Sequence, residues 1–330
     1  MSNNQIIVLL LLACVILSGC VSEKKEVKMY QVGIITNIEA FSGVVDGFKS
    51  KMAELGYIEG ENIVYDFQVP QAGSEEEQQL FNRFIENKVD LILAFPTEPA
   101  FAAKEATEGT EIPIIFAIAG TENSELIESV REPGGYITGI RYPGPYLVVK
   151  RFEFLLELAP HIKRLYVPYN PDYPNCPPAI EELRPVASSK NVTLVEAHIN
   201  SVEEIQNALQ ELEESDDIGI DAIQILPEAI TQTPDGWGAI SSFADEHGLP
   251  LVGSMLFSAD IGGVFSYCVE FFEIGELAAP LADKILKGIP AGTIPVVTPE
   301  AHLRVNYKKA HELGLTVPEG LLARADEIIR

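Results

Sequence analysis

The sequence is poor in the residues that form metal sites and activated nucleophiles. Its five histidines, at positions 161, 198, 247, 302 and 311, form no HExxH motif and accompany no CxxC pair, so no zinc site is expected. The chain also lacks a GxSxG elbow and a GxxxxGKS/T phosphate loop, and no glycine-rich turn for a dinucleotide follows the first predicted strand. The sequence therefore predicts no enzyme, no cofactor and no metal.

Positive charge is also scarce. Lys and Arg number 23 against 49 Asp and Glu, which gives a formal net charge of −26 over 330 residues. Such a surface repels phosphate backbones, so nucleic-acid binding is not expected. The 47% hydrophobic and 22% charged composition is that of a globular protein, and the length predicts about two domains.

No hydrophobic run reaches the ~20 residues of a transmembrane helix. The run from Ile6 to Leu17 has the length of a signal-peptide core, and Leu17-Ser18-Gly19-Cys20 resembles a lipobox, although no Lys or Arg precedes it. We therefore expect residues 1–19 to be a signal peptide, Cys20 to be lipidated and residues 20–29 to be a tether. An uncleaved anchor would also place the rest of the chain outside the membrane, on the periplasmic side or on the outer face of the cytoplasmic membrane.

Cysteine is rare as well. Of the four cysteines, Cys14 lies in the leader and Cys20 is the expected lipid site, which leaves Cys176 and Cys268. A single pair without regular spacing is weak evidence for a disulfide, so we expect two free thiols.

Short apolar runs alternate with amphipathic stretches after the tether. The first series predicts the strands Val32–Thr36, Ile63–Val69, Leu91–Phe95 and Ile112–Ile118, with the helices Phe41–Leu55, Glu75–Asn87 and Ala100–Ala106. The second series predicts the strands Arg164–Tyr169, Val192–Ala197, Ala222–Leu226 and Leu249–Val252, with the helices Leu147–Leu158, Ala179–Ser188, Val202–Glu213 and Trp237–Glu246. Strands separated by helices of this length predict an α/β fold with two parallel-sheet lobes.

The segment Arg131–Gly144, REPGGYITGIRYPG, interrupts this alternation and is expected to be the first crossing between the lobes. The last part of the chain predicts a strand over Gly263–Tyr267, a helix over Phe272–Leu286, a strand over Ile294–Thr298 and a helical tail. This order fits a chain that returns to the first lobe and ends on the second. We therefore place lobe I at residues 30–140 with about 267–292, and lobe II at 141–266 with about 293–330.

Loops at the carboxyl ends of parallel strands are where open α/β sheets bind ligands. These loops are Asn37-Ile38-Glu39, Phe95-Pro96-Thr97, Ala117-Ile118-Ala119, Tyr169-Asn170-Pro171, Pro227-Glu228 and Ser254-Met255. Their aromatic, amide and hydroxyl groups come without a nucleophile–base pair, which suits holding a small polar molecule more than transforming it. Each polar residue, taken singly, could instead be a helix cap or a turn residue.

Six segments match one known family in order and spacing. They are ELGYIEGENI at Glu54–Ile63, NKVDLILAFPTEPAFAAKEAT at Asn87–Thr107, EIPIIFAIA at Glu111–Ala119, SVREPGGYITGI at Ser129–Ile140, VPYNPDYPN at Val167–Asn175 and VNYKKAHELGLTVPEGLLARADEII at Val305–Ile329. Together they resemble the ABC-transporter substrate-binding family that includes the tryptophan- and tyrosine-type uptake lipoproteins. The resemblance implies a type I periplasmic-binding-protein fold, in which two Rossmann-like lobes joined by three hinge crossings close on a ligand and dock to a permease.

The chain departs from the family pattern near the expected ligand. Ile38-Glu39-Ala40-Phe41 replaces a Glu-His-Pro-like loop, Tyr136 replaces the Asn of PGGN, and Arg141 and Tyr142 follow TGI. Ligand specificity is therefore not implied by the resemblance. An amino acid, aromatic or not, and another small carboxylate are all open.

We predict an extracytoplasmic, lipid-anchored receptor that delivers a small molecule to an ABC permease and its ATPase. The residues expected to bind ligand are Asn37, Glu39, Phe95, Thr97, Ala119, Arg141, Tyr142, Tyr169, Asn170, Asn175, Pro227 and Ser254. Phe95 and Tyr169, or Tyr142, would stack on the ligand, while Arg141 would pair with its carboxylate. Phe95 could instead belong to the core and Arg141 could bridge to the acidic surface. The alternatives in function are a sensor of the same fold that signals to a membrane receptor, and an extracytoplasmic enzyme.

Overall fold

The computed structural model describes residues 28–122 and 124–330. The signal peptide predicted for residues 1–19, the lipidation predicted at Cys20 and most of the predicted tether therefore lie outside the described residues. Within the described ranges, no helix is both long and apolar enough to span a membrane.

The first lobe is built on a five-stranded parallel sheet with the strand order β2-β1-β3-β4-β5. Its strands are β1 (Tyr30–Thr36), β2 (Ile63–Gln68), β3 (Leu91–Phe95), β4 (Ile114–Ala119) and β5 (Ile137–Arg141), and its helices are α1 (Gly43–Glu54), α2 (Glu75–Glu86) and α3 (Thr97–Ala106). Strand β3 is buried along its whole length, as a strand covered by helices on both faces should be. Helix α2 begins where the Ser74 side chain accepts a hydrogen bond from the backbone N–H of Glu77 at 3.2 Å.

The second lobe is built on a seven-stranded sheet with the order β12-β11-β10-β9-β8-β6-β7. Its strands are β6 (Arg164–Tyr169), β7 (Thr193–His198), β8 (Ala222–Gln224), β9 (Leu251–Gly253), β10 (Phe265–Cys268), β11 (His302–Asn306) and β12 (Glu327–Ile329). The helices that follow α3 in the chain are α4 (Gly144–Leu158), α5 (Cys176–Ser189), α6 (Val202–Glu213), α7 (Pro234–Glu246), α8 (Phe271–Leu286), α9 (Tyr307–Glu312) and α10 (Glu319–Leu322). All pairings in this sheet are parallel except that of β10 with β11.

The C-terminal part of the chain differs from the predicted helical tail. Leu303 and Val305 are buried at alternate positions, which places His302–Asn306 in β11, and β12 follows near the end of the chain. The strand predicted at Ile294–Thr298 is not present in this described segment, where Val297 forms only an isolated bridge with Ile140. Two short helices, Tyr307–Glu312 and Glu319–Leu322, lie between β11 and β12. Both strands are short and form by pairing with a neighbouring strand, β11 with β10 and β12 with β11.

Helix α8 leaves the second sheet and packs against α1 of the first lobe. A Cβ atom at Gly47 would lie 1.9 Å from the carbonyl oxygen of Phe272, and one at Gly275 would lie 2.1 Å from that of Val44. The two helix backbones can approach this closely only because both positions are glycine. The contact holds α8 on the first lobe although its sequence neighbour β10 belongs to the second.

The chain passes between the lobes three times. The first passage joins β5 to α4, the second joins β10 to α8, and the third follows Val297, whose backbone N–H donates to the carbonyl oxygen of Gly139 at 2.9 Å. After Val297 the chain enters β11 of the second sheet. The fold is therefore the expected α/β arrangement of two lobes joined by three crossings, while the exact lobe boundaries stay a prediction.

Candidate functional site

A cavity of about 390 Å³ lies between the two lobes, where the strand-end loops of both sheets meet. Its size falls within the roughly 300–1,000 Å³ that is typical of small-molecule sites. The first lobe and helix α8 contribute Asn37, Phe41, Ile118 and Phe271 to its wall. The second lobe contributes Tyr173, Asn175, Pro227, Glu228, Gln232 and Phe257, and the crossings contribute Tyr142 and Cys268.

A bulge at the end of β4 brings Ile118 to the cavity. The register between β4 and β5 shifts between Ala117 and Ala119, and Ile118 has a φ of 53°. A β-branched residue adopts this left-handed conformation only where the surrounding structure enforces it. Because a bulge re-aims the side chain of the extra residue, Ile118 lines the cavity, while β4 pairs with β5 again at Ala119.

Five aromatic side chains line the cavity, namely Phe41, Tyr142, Tyr173, Phe257 and Phe271. Phe41 ends the short turn of 3-10 helix after β1, whereas Phe271 opens α8, and their ring centroids are only 4.5 Å apart. Rings from separate chain segments thus form one apolar surface. A wall of this kind suits a flat or apolar ligand body.

Arg151 on α4 is fully buried behind the cavity wall. Its Nη2 donates to the Tyr142 hydroxyl at 2.9 Å and to the carbonyl oxygen of Ser254 at 3.0 Å, while its Nε donates to the carbonyl oxygen of Tyr267 at 2.9 Å. Its Nη1 has no hydrogen-bond partner among the described residues. Arg151 therefore ties Tyr142, in the first crossing, to β10, which precedes the second.

Glu228 is the one charged residue among the described residues that line the cavity. It is 2% exposed, and its carboxylate accepts hydrogen bonds from the backbone N–H of Ile230 at 2.7 Å and of Thr231 at 2.6 Å. Burial raises the pKa of this carboxyl group, and the hydrogen bonds oppose that effect. No ion pair within the described ranges includes Glu228.

Among the described residues, hydrogen bonds from the side chains of Tyr173 and Thr97 join the lobes beside the cavity. The Tyr173 hydroxyl donates to Oε2 of Glu98 at 3.0 Å, and the Thr97 hydroxyl donates to Oδ1 of Asn175 at 3.3 Å. Burial raises the pKa of Glu98, although the hydrogen bond from Tyr173 acts in the opposite direction. Tyr173 and Asn175 also line the cavity, so the residues that close the cleft are in part those that would contact a ligand.

Arg141 connects the first crossing to the third. Its Nε donates to the Thr298 hydroxyl at 2.7 Å, its Nη1 lies 3.4 Å from Oε1 of Glu122, and its backbone N–H donates to the carbonyl oxygen of Val297 at 3.0 Å. Arg141 is not among the residues that line the cavity. The cation singled out in the sequence thus contacts the crossings and one acid of the first lobe.

Four of the residues predicted to bind ligand come together on the cavity wall: Asn37, Tyr142, Asn175 and Pro227. They lie on four different segments of the chain. Their position at the strand ends agrees with the general rule for α/β sheets. Their contact with a ligand stays a prediction.

The other predicted residues lie elsewhere. Phe95, Thr97, Ala119 and Ser254 are fully buried without lining the cavity, and Glu39 is exposed. The Tyr169 hydroxyl donates to Glu196 at 2.8 Å and lies 3.0 Å from Nε2 of His198, and the side chain of Asn170 accepts from the backbone N–H of Asp172 at 2.9 Å. Cys176 and Cys268 are both free and buried.

Several cavity residues were not predicted, namely Glu228, Gln232, Phe257, Phe271 and Tyr173. Glu228 directly follows Pro227 in a strand-end loop, and Tyr173 lies inside the segment VPYNPDYPN, so the sequence carried a positional signal for both. Phe257 and Phe271 follow β9 and β10, and only the return of the chain to the first lobe brings Phe271 to the site.

One group of possible metal ligands occurs among the described residues outside the cavity. One ligand atom each of Glu213, Glu246 and His247 lie within 4.8 Å of one another, and all three residues are exposed. Exposed acidic side chains on neighbouring helices commonly lie within such distances of one another when no metal ion is bound. The expected absence of a metal site stays a prediction.

Comparisons with known proteins agree with this geometry. The model of a family described as ABC transporter substrate binding protein matches residues 31–329. A tyrosine-binding protein of Clostridioides difficile is 29% identical over 276 residues, which are 82% of this chain and 76% of that protein.

Solved structures of other proteins share the fold. A Streptococcus pneumoniae ABC domain in complex with L-Trp has a TM-score of 0.80 at 22% identity. The match covers 92% of this chain and 100% of the chain of that domain. The ligand-free, open structure of a substrate-binding protein with adhesive properties from Clostridium difficile has a TM-score of 0.71 at 24% identity. The match covers 91% of this chain and 99% of that protein's chain. At these identities the structural likeness establishes the fold.

Proposed function

The chain belongs to the family of ABC transporter substrate binding proteins, and we propose that it captures an aromatic amino acid between its lobes and delivers it to an ABC importer. Its family comprises solute-binding proteins rather than enzymes. The observation that carries the proposal is the cavity of about 390 Å³ between the lobes, with five aromatic rings and few polar groups in its wall.

The composition of the wall supports a ligand with an aromatic side chain. Phe41 and Phe271 offer ring faces from the first lobe and α8, and Phe257 offers one from the second lobe. Aromatic rings that pack on one another gain about 0.5–1.5 kcal/mol beyond the burial of their area. A relative of this chain is a tyrosine-binding protein, and a protein of the same fold was solved in complex with L-Trp. Both ligands have an aromatic side chain that could pack against an aromatic wall.

Closure of the two lobes is the step that couples capture to delivery. A ligand that contacts both lobes stabilises the closed state by the contacts it makes only there. Tyr173 contributes to this coupling because its ring lines the cavity while its hydroxyl bonds to Glu98 of the opposite lobe. A permease would then recognise the relative positions of the lobes in the closed form.

Lipid attachment at Cys20 would hold the receptor at the membrane outside the cytoplasm. The support for this part of the proposal is the lipobox-like Leu17-Ser18-Gly19-Cys20 at the end of an apolar leader. A Cys20→Ala variant expressed in a bacterial host should lose incorporation of labelled fatty acid and leave the membrane fraction. Fatty-acid labelling that persists in this variant would contradict the assignment of the anchor.

A ligand panel tests the binding function. We expect isothermal titration calorimetry to detect tyrosine, tryptophan or phenylalanine, and these to raise the melting temperature more than alanine does. Phe271→Ala should weaken all aromatic ligands together, since it removes one face of the wall. If a sugar or nucleoside raised the melting temperature and no amino acid did, the proposal would be wrong. Loss of uptake of the same amino acid in a strain lacking this gene would separate transport from sensing.

A further inference from the structure

The charge of the cavity wall limits the chemical class of the ligand. Glu228 is the sole charged side chain that the described residues contribute to it, and the wall includes no Lys or Arg within the same ranges. Arg151 lies behind the wall and does not line the cavity; its Nε and Nη2 donate to Tyr142, Ser254 and Tyr267, and its Nη1 has no partner among the described residues. The residues that line the cavity therefore offer a carboxylate and no cation.

The Glu228 carboxylate is held in a fixed position. It accepts the backbone N–H groups of Ile230 and Thr231, which belong to the turn directly after it. These bonds orient the group and leave further lone pairs on both oxygens. A buried carboxylate without a cationic partner is costly, and a ligand that supplies a cation offsets this cost.

Two other residues of the wall have acceptor atoms without donors. Oδ1 of Asn37 and Oε1 of Gln232 are buried and have no hydrogen-bond partner among the described residues. The Gln232 amide nitrogen is already used, because it donates to the Ser254 hydroxyl at 2.9 Å. These two amide oxygens bring no positive charge to the Glu228 carboxylate.

We propose that Glu228 anchors a cationic amine and that the site selects its ligand by this amine rather than by a carboxylate. The ligand class is a primary amine with an aromatic or large apolar body, which includes aromatic amino acids and their decarboxylated forms. This inference rests on the proposed function and makes it narrower. Removal of the amine leaves Glu228 buried and unpaired, whereas removal of the carboxylate breaks no ion pair with the wall, because no Lys or Arg among the described residues lines the cavity.

A matched ligand series on the wild-type protein is the first test. Calorimetric titrations should compare tyrosine with tyramine, which lacks the carboxylate, and with 3-(4-hydroxyphenyl)propionate, which lacks the amine. Tryptophan, tryptamine and indole-3-propionate form a second set. We expect each amine to bind within about tenfold of its amino acid and each deaminated acid to bind at least about 100-fold more weakly, as expected when a buried charge loses its partner.

The variant Glu228→Gln assigns the selection to this residue. Its carbonyl oxygen can still accept a backbone N–H, so the melting temperature of the free protein serves as the check on folding. We expect the preference for amine over deaminated acid to fall by at least about tenfold. The control is Asp235→Asn, which removes the same charge at an exposed position of the same lobe and should leave the preference unchanged.

The outcomes separate the inference from the function on which it rests. Binding of the deaminated acids as tight as that of the amino acids overturns the inference alone, as does an unchanged amine preference in Glu228→Gln. If no compound of either set binds while a sugar or nucleoside does, the proposed function falls together with the inference.

Discussion

The Tyr173 hydroxyl of the second lobe donates a hydrogen bond of 3.0 Å to Oε2 of Glu98 in the first lobe. We expect Tyr173→Phe, which keeps the ring on the cavity wall, to weaken ligand binding by about tenfold, or about 1.4 kcal/mol. The physical reason is that the hydrogen bond from Tyr173 to Glu98 joins the two lobes and therefore forms only when they are closed. Its loss destabilises the closed state and leaves the open state unchanged. Calorimetry gives the affinity, and small-angle scattering should show a larger radius of gyration at subsaturating ligand.

Tyr136→Phe is the matched control for this change. The Tyr136 hydroxyl lies 3.4 Å from Oε1 of Glu111, and both residues belong to the first lobe and are exposed. We expect its affinity to equal that of the wild type. Equal affinities of Tyr173→Phe and Tyr136→Phe would show that the bond to Glu98 does not contribute to closure.

Arg141 allows a test between the two roles considered for it. Because its guanidinium contacts Thr298 and Glu122 instead of lining the cavity, we expect Arg141→Gln to change the affinity by less than about threefold. The melting temperature should fall slightly, since the link between the first and third crossings is lost. A loss of affinity above about tenfold at an unchanged melting temperature would instead support pairing with a ligand carboxylate.

The close contact between α1 and α8 predicts opposite effects of two similar substitutions. Gly275→Ala places a Cβ 2.1 Å from the carbonyl oxygen of Val44 and should lower the free energy of unfolding by about 2 kcal/mol. Gly238→Ala on α7 meets no atom within 4 Å and should raise it by up to about 1 kcal/mol. Urea unfolding measures both, and similar effects of the two variants would contradict the packing argument.

The Arg184–Glu196 pair predicts a dependence of stability on pH. Hydrogen bonds of 2.8 and 2.7 Å from Arg184 lower the pKa of Glu196 below its ordinary 4.5. Because the folded-state pKa is the lower one, the pair stabilises the protein above pH 4.5 and loses this effect as the pH falls through the lowered pKa.

Glu196→Gln should accordingly lower the free energy of unfolding by about 0.5–1 kcal/mol at pH 7, as for other half-exposed pairs. The difference from the wild type should shrink in urea titrations carried out at successively lower pH. A difference that stays constant down to pH 3 would mean that the carboxylate charge is not the cause.

Much of the fold followed from local sequence pattern. Leu91–Phe95 and Arg164–Tyr169 are strands with the predicted bounds, and Val202–Glu213 is the predicted helix, because apolar periodicity and the burial of parallel strands are both local signals. The strand β11 was missed although His302–Asn306 alternates polar and apolar residues, because five residues of this pattern precede a helix-like segment; β12 has only three residues. Pairing with β10, which is distant in the chain, makes Leu303 and Val305 part of a sheet.

The site was less predictable because it depends on how two lobes face each other. Phe95 is the last residue of the buried strand β3, and Thr97 lies two residues after it, which is a typical position for a residue that binds a ligand. Both side chains are nevertheless fully buried in the protein. Arg151 lies in the apolar stripe of α4, four residues after Leu147 and four before Leu155, so the helical spacing places this cation on the buried face but does not show which groups it contacts. Phe271 reaches the cavity through the second crossing, which is a property of the topology.

The return of the chain to the first lobe also affects synthesis of the protein. The Tyr57 hydroxyl bonds to Asp283, 226 positions further along the chain, so the first lobe lacks part of its core until α8 has left the ribosome. The sheet of the second lobe is complete only with β12 at the C-terminus. Neither lobe can therefore finish folding as an N-terminal unit during translation, and a single cut in the chain cannot yield two independent halves.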